Sequence, residues 1–207
     1  MGRKTQVVFL DRDGVINEFP GNGNYVTKVK NFHFIPRARE ALKMLRQAGY
    51  TVFVISNQAG VGRGVYSQDK LNRINQRMLT EVEQSGGHIK KAYYCTHKPD
   101  SGCNCRKPGI GSIARALQSI NRSLRTAKNA FFVGDTKVDI ETGFKAGCRT
   151  IFVLSGRENR RYMRHWIIKP DYIVKNLYEA VKIIINGKSK LPAQKPLRKT
   201  SRNSKLK

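Results

Sequence analysis

The chain has 207 residues, 39% of them hydrophobic, with 40 lysines and arginines against 14 acids and a net charge of +26. That length suits one ordinary domain with a single substantial core. The apolar runs are too short to span a bilayer and no signal-peptide core precedes the first strand, so a membrane class is excluded and a cytoplasmic setting is expected. The last acid is Glu179, and the segment from Gly187 to Lys207 holds eight basic residues and no acid; such a field attracts anions but names no partner.

Short apolar runs alternate with amphipathic segments, the pattern of an α/β fold with a mostly parallel sheet. Residues 6–10, with Val7, Val8, Phe9 and Leu10, read as a buried strand. Residues 17–30 are rich in Gly and Asn and read as a loop or small flap. Pro36 is expected to open a helix whose apolar face is Ala38, Ala41, Leu42 and Leu45, closed by Gly49. Residues 51–55 form the second strand. Ser67 caps a long helix with Leu71, Ile74, Met78, Leu79 and Val82 on one stripe, ending at Gly86-Gly87. A third strand at 89–94 leads into a Cys/His loop and a helix near 113–120. The fourth strand (130–133), a helix (138–146), the fifth strand (150–153), a short strand (172–174) and a final helix (177–185) complete the domain. Trp166 is expected under the last helices, and Cys148 is expected to be a buried core thiol. Residues 187–207 are too polar to bury enough surface to offset ordering and read as a disordered basic tail after a domain of residues 1–186.

Chemistry gathers at the strand ends, where ligands bind in open α/β sheets. The first strand runs into Asp11-Arg12-Asp13-Gly14, and Gly14 permits the turn that brings both carboxylates to the crevice. The fourth ends in Gly134-Asp135, with Asp139 further on. Carboxylates meeting at one edge repel unless a cation joins them, and an oxygen-only set suits Mg²⁺. The second strand ends in Ser56-Asn57-Gln58, donors suited to phosphate oxygens, and Lys107 adds a positive charge. Each element alone is a common turn or cap; their ordered arrival at separate strand ends carries the signal. Gly60, Gly62 and Gly64 do not form a dinucleotide fingerprint and are expected to let the loop after Ser56 turn closely around substrate.

These elements resemble, in order, the motifs of the haloacid dehalogenase superfamily. Residues 7–14 look like its first motif, Ser56 its second, Lys107 its third, and Gly134-Asp135 with Asp139 its fourth. The runs Asp11-Arg12-Asp13-Gly14-Val15-Ile16-Asn17 and Ser56-Asn57-Gln58-Ala59-Gly60-Val61-Gly62-Arg63-Gly64, followed by a Cys/His loop before Arg106-Lys107-Pro108, are similar to the D-glycero-D-manno-heptose 1,7-bisphosphate 7-phosphatases and to the related histidinol-phosphate phosphatases. The resemblance spans roughly residues 5–186. It implies a Rossmann-like, doubly wound fold without a large cap. It implies Asp11 as nucleophile, Asp13 as general acid and base, and Ser56 and Lys107 as stabilisers of the transferring phosphoryl group. Mg²⁺ would be held by the Asp11 carboxylate, the Asp13 carbonyl and Asp135, with Asp139 in support. Arg12, Asn24, Tyr25, Asn57, Gln58, Ala59 and Arg106 would contact a small phosphorylated metabolite.

Cys95-x-His97-x₅-Cys103-x-Cys105 offers three thiolates and an imidazole, the ligand set of a closed structural Zn²⁺ site. Clustering of this kind in a cytoplasmic chain argues for metal over disulfides. The loop has little apolar surface, so the metal would supply its order and aim the adjoining Arg106 and Lys107. The five-residue spacer resembles the histidinol-phosphatase version. The expected activity is a Mg-dependent phosphomonoesterase, a monomer acting on the 7-phosphate of the heptose bisphosphate. The alternatives are histidinol phosphate as substrate or, from the charge alone, a nucleic-acid-binding polynucleotide 3′-phosphatase.

Overall fold

The computed structural model describes residues 6–187. Six strands, β1 (Gln6–Leu10), β2 (Tyr50–Asn57), β3 (Lys91–Cys95), β4 (Phe131–Gly134), β5 (Arg149–Val153) and β6 (Tyr172–Val174), form one sheet in the order β3-β2-β1-β4-β5-β6. All its pairings are parallel, which is the doubly wound order with its switch point between β1 and β4. Helices α1 (Ala38–Gln47), α2 (Ala59–Gly62), α3 (Gln68–Gln84), α4 (Gly111–Gln118), α5 (Lys137–Ala146) and α6 (Leu177–Asn186) connect the strands or flank the sheet. No helix among the described residues is long and apolar enough to cross a membrane. The expected tail begins with Gly187; residues 188–207 lie outside the described residues.

The period-2 alternation of a strand divides the core between two faces. Val8, Leu10, Val52, Val54 and Val133 point toward α1, α3 and α6, meeting Leu42, Leu45, Ile74, Met78, Val181 and Ile184. Val7, Phe9, Phe53 and Phe132 point the other way, onto Ile113, Ala116, Leu117 and Cys148. Phe9 lies between the rings of Phe53 and Phe132 at 6.0 and 6.3 Å. Burying each such side chain is worth roughly 1.5–3 kcal/mol. Cys148 is fully buried in this cluster, and burial pushes its thiol up to about 12.

The helix ends follow the local sequence. The Ser67 side chain accepts from Lys70 N at the start of α3, Thr136 and Asp139 form a capping box on α5, and Asn176 accepts from Glu179 N on α6. The α1 terminus differs from expectation: Pro36 precedes the helix and Arg37, at φ 66°, is its N-cap without a side-chain cap bond. The guanidinium of Arg37 pairs with Glu40 at 2.8 Å and stacks over Tyr178, contacts that offset the left-handed backbone. Trp166 meets α5, one of the last two helices: it packs edge-on against Phe152 at 5.0 Å, in a cluster with Ile140 of α5 and Met163. No α-helix links β5 to β6, so the turn Tyr162–His165 and Trp166 cover that part of the sheet face.

Candidate active site

The register aligns the carboxyl ends of three strands. Leu10 pairs with Val54 on one side and Val133 on the other, and Asp11 N donates to Val133 O at 3.0 Å. Asp11, Ser56 and Asp135 therefore emerge together, on the wall of a cavity of about 430 Å³ also lined by Asp13, Asn24, Tyr25, Asn57, Ala59, Arg106 and Lys107.

Lys107 is buried and bridges two carboxylates, with Nζ 2.9 Å from Asp11 Oδ1 and 2.5 Å from Asp139 Oδ1. Burial opposes its charge, but Asp11 and Asp139 outweigh that and hold it above the ordinary lysine range. Its backbone is clamped by Asn57, whose Nδ2 donates to Lys107 O (3.1 Å) and whose Oδ1 accepts from Lys107 N (3.0 Å). Asp11 Oδ1 also accepts from Arg12 N at 2.7 Å. Burial first, then Asp139 and Asp13, against the lowering by Lys107, push the Asp11 carboxyl up to about 6.

Asp135 occupies a socket between two glycines. A Cβ on Gly14 (φ +82°) would lie 2.3 Å from Asp135 Oδ2, and one on Gly156 would lie 2.0 Å from it. Oδ2 accepts from Arg157 N at 2.7 Å, whereas Oδ1 is buried with no hydrogen-bond partner. Burial, then Asp139 and Asp11, raise its proton affinity well above the usual carboxylate range. Asp11, Asp135 and Asp139 offer oxygens within 4.8 Å of one another. Asp139 is engaged on both of its own, with Oδ1 on Lys107 and Oδ2 on Thr136 N and Oγ1. The open acceptors are thus on Asp11 and Asp135. An orphaned buried carboxylate oxygen facing a second carboxylate fits a hard divalent cation such as Mg²⁺.

Two expected substrate contacts lie elsewhere. Arg12 is fully buried and does not line the cavity: its Nε and Nη2 donate to Asp13 at 2.9–3.2 Å, and its guanidinium lies over the Tyr94 ring. Gln58 is also fully buried, with Nε2 on Asp13 Oδ2 at 2.7 Å and Oε1 accepting from Tyr66 Oη at 2.6 Å. Conversely, Phe19, Arg63, Thr136, Arg157 and Glu158 line the cavity without having been marked in the sequence. Arg63 and Thr136 sit within the motif runs and could have been noticed there. Arg157 and Glu158 carry no local signal, because only the tertiary fold brings the segment after β5 back to the β1 turn.

The Cys/His loop closes on itself. Cys95 Sγ is 3.6 Å from Cys103 Sγ, Cys105 Sγ is 3.5 Å from Cys103 Sγ, and His97 Nδ1 is 3.7 and 3.3 Å from Cys95 and Cys105 Sγ. A tetrahedron built from ordinary Zn–S and Zn–N lengths has edges of about 3.5–3.8 Å, so the four ligand atoms fit that ion. The loop packs on α2: Gly62 N donates to Thr96 O, and a Cβ on Gly62 would lie 2.3 Å from that oxygen. A Cβ on Gly60 would lie 2.6 Å from Tyr66. Close packing of α2 therefore accounts for these two glycines, rather than the turn around substrate expected of them. At the loop's end Arg106 lines the cavity, with Nη1 buried and unpartnered.

A family model described as HAD-hydrolase-like matches residues 104–180. The D-glycero-β-D-manno-heptose-1,7-bisphosphate 7-phosphatase of Pseudomonas putida is 34% identical over 155 residues, 75% of this chain and 86% of the relative. The corresponding 7-phosphatase of Chlorobaculum tepidum is 32% identical over 191 residues, 88% of this chain and 95% of the relative. Among solved structures, the D,D-heptose 1,7-bisphosphate phosphatase from B. bronchiseptica, in complex with magnesium and phosphate, superposes with a TM-score of 0.80 at 27% identity, covering 88% of this chain and 99% of that one.

Proposed function

The chain belongs to the haloacid dehalogenase-like hydrolases, among the D,D-heptose 1,7-bisphosphate 7-phosphatases; it is a phosphatase, and from that premise we propose that it hydrolyses the 7-phosphate of D-glycero-D-manno-heptose 1,7-bisphosphate through an aspartyl phosphate. The observation that carries this reading is Lys107 Nζ held between Asp11 and Asp139, beside the unpartnered oxygen of Asp135. Repulsion between a phosphate dianion and an attacking carboxylate is the main obstacle, and this cluster opposes it.

Asp11 Oδ1 is fixed by Lys107 and Arg12 N, which leaves Oδ2 to attack phosphorus. As the Oδ2–P bond forms and the bond from phosphorus to the sugar oxygen breaks, Asp13 donates a proton to the departing oxygen. Asp13 then takes a proton from the water that attacks the aspartyl phosphate, which releases inorganic phosphate and regenerates Asp11. Ser56 and Lys107 hold the phosphoryl oxygens. Asp11, Asp135 and the Asp13 carbonyl would hold Mg²⁺, which would neutralise phosphoryl charge when bound. Cys95, His97, Cys103 and Cys105 would hold Zn²⁺ in a structural role, and a reducing cytoplasm would keep the three thiols available for it.

The test is kcat/KM on a panel of the heptose bisphosphate, histidinol phosphate and a 3′-phosphorylated oligonucleotide. The heptose bisphosphate should lead by at least tenfold, and leadership by either of the others would replace the substrate assignment. Asp11→Asn should abolish turnover on every ester while the protein remains folded by circular dichroism. Retained turnover in that variant would sink the covalent mechanism.

A further inference from the structure

Asp13 collects donors on both oxygens. Oδ1 accepts from Arg12 Nη2 (2.9 Å) and Nε (3.2 Å) and from Asn17 Nδ2 (2.9 Å); Oδ2 accepts from Arg12 Nη2 (3.0 Å) and Gln58 Nε2 (2.7 Å). Arg12 and Asn17 belong to the same turn as Asp13. Gln58, 45 positions away and immediately after β2, is the only one of these donors to come from outside that turn.

A primary amide has nearly the same shape either way round, so shape alone does not decide which end of Gln58 faces Asp13. The NH₂ end attracts a carboxylate and the carbonyl end repels it. Asp13 Oδ2 therefore takes the NH₂ end, whose Nε2 also lies 3.3 Å from Ser56 Oγ. Tyr66 holds the other end: its hydroxyl donates to Gln58 Oε1 at 2.6 Å, which keeps Nε2 on Asp13. The ring is itself wedged: Tyr66 is buried, its ring lies 5.9 Å from that of Tyr25, and Gly60 leaves no room for a side chain against it. Burial also holds the Tyr66 phenol above its ordinary range, which keeps it a donor.

We propose that Tyr66 is a positioning residue for proton transfer, locking the Gln58 amide so that its NH₂ fixes Asp13 in the orientation from which it serves the leaving oxygen. Tyr66 does not line the main cavity, and Gln58 acts through Asp13 and not on substrate. The inference rests on the reading of Asp13 as general acid.

Leaving-group dependence separates this role from a structural one. A sugar alkoxide needs a proton to depart, whereas p-nitrophenolate does not, and kcat/KM reports the steps up to release of the alcohol. Tyr66→Phe should lower kcat/KM for the sugar phosphate about tenfold, well inside the roughly hundredfold or more that general acid catalysis supplies. The same variant should change kcat/KM for p-nitrophenyl phosphate by less than about twofold. Gln58→Leu should show the same discrimination, and the double variant should be no worse than Gln58→Leu alone, because the two act as one unit. Gln58→Leu alone serves the test if Tyr66→Phe does not fold. An equal loss on both esters, or additive losses in the double variant, would overturn the inference. Failure of the unaltered enzyme to hydrolyse either ester would instead overturn the phosphatase reading on which it rests.

Discussion

Asp135 sits between Gly14 and Gly156 with Oδ1 buried and unpartnered, and burial together with Asp139 and Asp11 raises its proton affinity. Asp11 is raised from 3.8 to about 6 by burial and its acidic neighbours, against Lys107. The sign of the consequence is fixed by linkage. A carboxyl raised in the folded state keeps its proton where the unfolded chain has lost it, so stability falls as pH rises from about 4 toward 6 and stays low above. Without a divalent cation, these groups therefore oppose folding at neutral pH. Asp135→Asn should be more heat-stable than the metal-free parent at pH 7 by a few degrees, since each kcal/mol moves Tm by about 2–4 °C at this size. The gap should shrink on going to pH 4, where the parent carboxyl is protonated. Added Mg²⁺ should stabilise the parent and not the variant. Calorimetric scans across pH, with and without Mg²⁺, check all three; a variant less stable than the metal-free parent at pH 7 would contradict the assignment of Asp135 as an electrostatically strained ligand.

At the scale of elements, the Cys/His loop is the structure that aims Lys107. It is held to α2 through Gly62 and Thr96, Gln58 N donates to Cys95 O, and Asn57 clamps Lys107 from both sides. Removing zinc with a chelator, then restoring Mg²⁺ in excess, should lower kcat at least several-fold as the loop loses its order. Protein that elemental analysis shows to be zinc-free, yet fully active, would refute this. Much of this arrangement was legible in the sequence. The alternation in β1, the Ser67 cap and the stripe of α3 are local signals, and the end of each strand marks a motif. The spacing of the cysteines and the histidine likewise marks four side chains that the fold brings together. What was illegible depends on tertiary direction. Arg12 and Asp13 are adjacent in sequence, but only the surrounding core decides that one guanidinium is buried beneath Tyr94 while its carboxylate partner faces the cavity. The same holds for Gln58, whose partner Tyr66 enters from the turn before α3, and for Trp166, which joins Ile140 of α5 and Phe152 of β5.

At the scale of the whole molecule, charge and openness act together. The net charge is +26, and removing the eight basic residues that follow Asn186 still leaves +18, so the field belongs to the domain as well as the terminus. Among the described residues the cavity has no covering domain, and Arg63, Arg106 and Arg157 lie on its wall with no ion pair. The wall also carries Asp11, Asp13, Asp135 and Glu158, so the positive field comes from the domain's overall excess of basic residues; such a field attracts anionic substrates and speeds their encounter, an effect that salt weakens because the screening length is only about 8 Å at physiological ionic strength. Phosphoryl transfer itself takes place against buried groups and is screened far less. Raising the salt from low to physiological ionic strength should therefore lower kcat/KM for a sugar bisphosphate by about three- to tenfold. It should lower that for the matching monophosphate less, and leave kcat nearly constant. A chain ending at Gly187 should keep most of this slope, since most of the excess charge remains. Stopped-flow and steady-state rates over a salt series decide the matter. A flat kcat/KM would mean that the positive charge plays no part in substrate capture; a slope that vanishes on truncation would move the steering field from the domain to the terminus.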